Sequence, residues 1–164
     1  MADMMMSGTM QGITVAGAAG AGLVGGVFFA FSGFVLAALR RLPAAQGIGA
    51  MQSVNKTAVT PPLMLALFGT AVLSVAVGIW AVRSWAEPSA PWALAGSLAY
   101  LASVVITIVA NVPLNNSLAG LNPEAPGARA QWASFLAHWT LWNHLRGAAA
   151  VAAGLAFVIA LIRR

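Results

Sequence analysis

Cysteine is absent from this sequence, which removes disulfides, thiolate chemistry and cysteine-ligated metals from consideration. Acidic residues are almost absent too: 3 against 8 lysines and arginines in 164 residues. No pair of carboxylates falls inside an apolar segment, so the proton relay of a coupled transporter has no material. Charge of either sign is scarce, at 7% of the chain, where a soluble domain carries about a quarter. A soluble fold of this length needs more polar surface than that. The basic residues stand singly or in pairs, which gives nucleic acid no patch to bind and suits lipid headgroups instead. The start, MADMMMSGTMQG, has no basic n-region, and no small-residue cleavage site closes a short apolar run. The first apolar stretch therefore reads as a structural span, and Met4 to Met6 as a disordered end rather than a copper box.

What fills the chain is apolar: 60% hydrophobic residues and a mean hydropathy of +0.87. A membrane-spanning helix needs about 20 such residues, and four stretches supply them, at residues 13–39, 62–82, 92–112 and 139–162. The expected fold is all-α, a four-transmembrane-helix up-down bundle forming one integral membrane domain over residues 1–164. Pro61 and Pro62 suit the start of the second span. Trp80, Trp85 and Trp92 bracket the short second connection as an aromatic belt would. GAAGAGLVGG, residues 17–26, reads as a close-packing face; a phosphate-binding loop would need a strand-turn-helix context. That face suits a homo-oligomer as well as the bundle itself.

Two connections are long. In the first, Ile48, Met51 and Val54 recur every three residues, which predicts a short amphipathic helix lying at the membrane interface. The other begins with the breaker-rich NSLAGLNPEAPG. ARAQWASFLAHW then runs on as helix into the fourth span, giving one helix of about 35 residues and roughly 50 Å.

Four alternating spans place the first and third connections on one side. Arg40, Gln52, Asn55, Asn111, Asn115, His138, Asn143, His144 and Arg146 all fall there, and both termini fall on the other. With about 100° per residue, Trp132, Phe135, Trp139, Asn143, Arg146 and Ala150 share one stripe, while Leu145, Leu155, Ile159 and Ile162 lie opposite and suit lipid. His138 and His144 flank the stripe about 120° apart, too far round to hold one metal or haem together. In NVPLN, Pro113 removes a donor and crowds the Val109 carbonyl, which then needs a polar partner. Single asparagines at helix ends are often caps and interfacial arginines often snorkel. An arginine among several amides inside a membrane is costly to keep without use, and the set reads as a polar site at one end of the bundle.

GVFFAFSGFVLAALRRLPAAQGIGAMQSVN, ANVPLNNSLA and WTLWNHLR together resemble the anthrone oxygenase-like family of small four-helix membrane proteins. The resemblance runs from Gly25 to Arg146, and the family's N-x-P-x-N and W-N-x-x-R motifs stand as Asn111, Pro113, Asn115, Trp142, Asn143 and Arg146. Leu36-Ala37 departs from the Met-Pro of many members, which bears on helix kinking. The resemblance implies an oxygenase without haem, flavin or metal, acting with dioxygen on a hydrophobic aromatic molecule of the anthrone or quinol type. His144 or His138 would be the base. Asn143, Arg146, Asn111 and Asn115 would hold an oxyanion. Trp139, Trp142 and Phe135 would stack on the ring, with Gln52, Asn55 and Arg40 completing the site. The competing reading is a non-catalytic protein that binds a lipid headgroup, a quinone or a partner subunit at the same end. The expected location is a bacterial plasma membrane, crossed several times. The basic residues nearest the polar side favour a cytoplasmic placement of that side, but the counts become level if Arg40 and Arg146 belong to a site.

Overall fold

The computed structural model describes residues 8–163. Met4 to Met6 lie outside the described residues. Five helices account for the fold: α1 (Gly8–Arg40), α2 (Ala44–Thr57), α3 (Pro61–Arg83), α4 (Ala90–Ala119) and α5 (Ala128–Ile162). All but α2 are long and apolar enough to cross a membrane, which makes the chain a multi-pass membrane protein. Each packs against two neighbours in the ring α1–α5–α4–α3, with α5 most deeply engaged with α1 and α4.

Helix boundaries follow local chemistry. Pro43 precedes the first turn of α2, Pro61 and Pro62 open α3, and Pro91 stands in the first turn of α4; proline lacks an N–H that such positions leave unbonded anyway. Gly127, at φ 85°, turns the chain into α5 through the left-handed region.

The third span is longer than its sequence suggests. The helix runs on past residue 112 to Ala119, so residues 116–119, the start of the breaker-rich NSLAGLNPEAPG, are helical. The backbone widens into a π-turn over Thr107–Asn111, in which the Val112 N–H bonds to the Thr107 carbonyl. Pro113 then falls in the first turn of the next α segment, where its missing donor costs little. Similar π segments occur at Phe31–Val35 in α1, just before Leu36, and at Leu65–Gly69 in α3.

The glycine-rich face of α1 acts as a packing surface. A methyl group on Gly20 would collide with the Thr70 hydroxyl of α3, and one on Gly17 would touch Phe157 of α5. Gly22 and Gly26 face open space. The α2 helix forms where its periodicity predicts, but its apolar side turns inward. Ile48 and Met51 are fully buried in a cluster with Leu36, Leu118, Trp132 and Trp139, so α2 is a cap on the bundle rather than a helix with its apolar face in lipid. At the opposite end, Arg163 lies 5.6 Å from the Trp92 ring, and Met10 and Ile13 pack on the cluster of Ala90 and Ala160.

Candidate functional site

Arginine inside a span must have its donors met or it destabilises the fold. Arg146 is 7% exposed. Its Nε and Nη2 donate to Asn143 Oδ1 at 3.0 and 2.8 Å, a pairing that works because residues three apart on a helix are neighbours. Asn143, fully buried, is itself fixed from α1: its Nδ2 donates to the Phe28 carbonyl at 2.8 Å and to Ser32 Oγ at 2.7 Å. From α4, Ser103 Oγ donates to the Arg146 carbonyl at 2.8 Å. The third guanidinium nitrogen, Nη1, makes only a long 3.4 Å bond to Thr107 Oγ1. The charged plane lies 3.9 Å from the Phe28 ring centroid and 5.0 Å from that of Trp139, within cation–π range. Among the described residues no carboxylate is its partner.

A second polar layer lies one turn nearer the first and third connections. Trp139 Nε1 donates to Asn115 Oδ1 at 2.7 Å, and Asn111 Nδ2 donates to the Trp139 carbonyl at 3.3 Å. Asn111 is fully buried, and its Oδ1 has no partner. Gln52 Nε2 donates to the carbonyls of Leu118 and Leu121, at 2.8 and 2.9 Å, and so ties α2 to the end of α4.

Beside these layers is a cavity of about 150 Å³. Its aromatic and aliphatic walls come from Phe28 and Phe31 of α1, Met51 of α2, Met64 and Leu67 of α3, and Trp139 of α5. Its polar lining is Arg146, Thr107, Asn115 and Asn55, the last with an Nδ2 that is buried and unpartnered. Val59, 70% exposed, stands at the rim. The volume matches an engineered apolar cavity of about 150 Å³ that admits benzene.

The sequence-derived site residues divide accordingly. Arg146, Asn115, Trp139 and Asn55 line the cavity. Asn143, Asn111 and Gln52 lie behind the wall and position what does. Phe135 stacks on Trp132 at 5.5 Å, in the cluster under α2. His138 is exposed, with Nδ1 2.9 Å from the carbonyl of Ser134, its own helix neighbour. His144 and Trp142 are also exposed; His144 borders an outward-facing groove between α1 and α5. Neither histidine lines the cavity. Arg40 is exposed and borders a separate surface groove with Arg129, Pro43 and Trp132. Among the described residues no cluster of three metal-binding side chains exists.

Sequence reading missed Phe28, Ser32, Thr107 and the methionines. Ser103, Thr107 and Asn111 recur every four residues, a signal of one polar helix face. Met51 and Met64 carry no such signal, since only the three-dimensional packing of α2 and α3 brings them together.

A family model described as anthrone oxygenase matches residues 50–156, a stretch that contains all of α3 and α4 and most of α2 and α5. No curated protein and no solved structure matches the chain.

Proposed function

Because the chain belongs to the anthrone oxygenase family, we propose that it is a membrane-embedded oxygenase that oxidises an acidic aromatic molecule of the anthrone or quinol type, with dioxygen as co-substrate and no cofactor. The observation that carries this reading is Arg146, a buried cation without a carboxylate partner among the described residues, on the wall of an aromatic-lined cavity. An enolate or phenolate oxygen is an anion that such a cation stabilises in surroundings of low dielectric. In the anthrone case the carbanion passes one electron to dioxygen, and the radical pair combines to a peroxide. The peroxide takes up a proton from water at its outer oxygen. As the O–O bond breaks, that oxygen leaves as hydroxide and carries off the remaining benzylic hydrogen as a proton, so that one oxygen atom stays as a carbonyl and the other departs as water. Val59, exposed beside the cavity, would mark the entrance for a lipid-soluble substrate.

We place the polar end of the bundle at the cytoplasmic face of a bacterial plasma membrane, on the strength of Arg40, Arg41, Lys56 and Arg129 at that end. The groove between Arg40 and Arg129 supports a second reading, in which this end also holds an anionic lipid headgroup. Oxygen uptake by the purified protein tests the main reading. Uptake dependent on an anthrone or a quinol, and lost in Arg146→Met, is the expected result; equal uptake by the two proteins would remove Arg146 from the reaction.

A further inference from the structure

If the cavity is the oxidation site just proposed, its chemistry also specifies the state in which the ligand arrives. Oxidation by direct electron transfer to dioxygen needs the ligand deprotonated, and a protein that removes the proton itself places a base within about 3 Å of it. The lining holds no such group. No Asp, Glu, His, Lys or Tyr of the described residues borders the cavity, and Arg146 is its one titratable side chain. The elements around the guanidinium present only neutral groups: Phe28 from α1, Ser103 and Thr107 from α4, and Asn143 and Trp139 from α5. Tyr100 is committed elsewhere, donating to the Leu67 carbonyl at 3.1 Å.

The same lining is rich in unmet donors. Arg146 Nη1 has one long bond, and Asn55 Nδ2 has none. Asn115 Oδ1 is already occupied by Trp139, which leaves that side chain's amide nitrogen for a ligand. A neutral phenol could give its proton to an acceptor such as Thr107 Oγ1, but it brings no charge to set against Arg146. Its conjugate base offers lone pairs that the donors match, together with a negative charge, which no described residue brings to Arg146.

We infer that the cavity is a receptor for the preformed oxyanion of a phenol or enol, with Arg146 as counterion and Asn55 as a second donor, and that the ligand gives up its proton before it is enclosed. The proton passes to water or headgroups at the membrane surface, and no side chain of the cavity takes part. The protein therefore acts by capturing the small ionised fraction of its ligand.

The probe is 4-nitrophenol, whose single ring suits about 150 Å³ and whose phenolate absorbs in the visible while the phenol does not. It is titrated into the full-length protein in detergent, one pH unit below its own ionisation. Phenolate absorbance should rise at least fivefold over protein-free detergent at saturation, because a cation a few ångströms away lowers the ionisation pH of its partner by one or more units. Arg146→Lys should keep part of the rise and Arg146→Met none. Asn55→Leu breaks no hydrogen bond through Nδ2, so it should fold as the parent does and weaken binding of the same ionised form about fivefold. Bound probe that stays protonated, or an equal rise in Arg146→Met, overturns the inference. If anthrone-dependent oxygen uptake persists in that case, the oxidation reading survives alone. Absence of any binding by the probe, together with absence of uptake, removes both.

Discussion

Asn143 Oδ1 receives two hydrogen bonds from the Arg146 guanidinium, while its Nδ2 holds the Phe28 carbonyl and Ser32 of α1. One amide thus orients the cation and ties α5 to α1. The two residues should therefore respond differently to truncation. Asn143→Ala leaves a buried charge unpaired and should cost about 3–5 kcal/mol. Arg146→Met removes the charge and replaces it with apolar volume, and should cost no more than about 1–3 kcal/mol for the Asn143 oxygen left unmatched. Thermal melting in detergent should rank the stabilities parent, Arg146→Met, Asn143→Ala, in descending order; the reverse order for the two variants would show that the charge itself is stabilising.

The histidines lie outside the cavity. His138→Ala and His144→Ala should each keep oxidation rates within about twofold of the parent, since removing a real general base costs roughly 100-fold or more. A loss of that size in His144→Ala, at unchanged stability, would move the chemistry to the outer groove between α1 and α5.

The glycine face of α1 makes a sharp packing prediction. Gly20→Ala forces a methyl group into Thr70 of α3 and should destabilise by about 1–3 kcal/mol. Gly22→Ala meets nothing, and should be neutral or stabilising by up to about 1 kcal/mol, because alanine restricts the unfolded chain and favours helix. Melting temperatures of the two variants, measured side by side, decide the matter.

Gln52 joins α2 to the end of α4 through two backbone carbonyls. Gln52→Ala should leave both without that donor, cost about 1–3 kcal/mol and raise amide hydrogen exchange in residues 44–57 above that in α5. Unchanged exchange there would show that Ile48 and Met51 alone hold the cap in place.

Much of this was legible in the sequence, and for identifiable reasons. A stripe of Trp132, Phe135, Trp139, Asn143, Arg146 and Ala150 on α5 follows from helical periodicity alone, and all six side chains are buried. On the opposite face Leu145, Leu155 and Ile162 are exposed and Ile159 is half-buried, close to what spacing requires of a lipid-facing side. Periodicity also found α2, but gave only that one side of it is apolar; whether that side meets lipid or protein depends on Trp132 and Leu118, far away in sequence. Pro113 marks a lost donor and a crowded carbonyl in any α-helix, but nothing in the sequence says that the backbone meets this with a π-turn over Thr107–Asn111 and carries the helix on to Ala119. The flanking positions of His138 and His144 were also evident, yet their chemistry drew them towards a site that the packing places beyond their reach. Phe28 and Met64 were invisible, since nothing local separates an apolar residue that lines a cavity from one that faces lipid.

Photolabelling tests the location of the site most directly. A hydroxylated aryl azide, bound in the dark and then activated, should attach to residues that line the cavity, with Phe28, Met51, Met64 and Trp139 the expected positions, and labelling should fall at least fivefold in Arg146→Met. Labels confined to Val151, Ala152 and Leu155 beside His144, or spread evenly over lipid-facing residues, would contradict an aromatic site at Arg146.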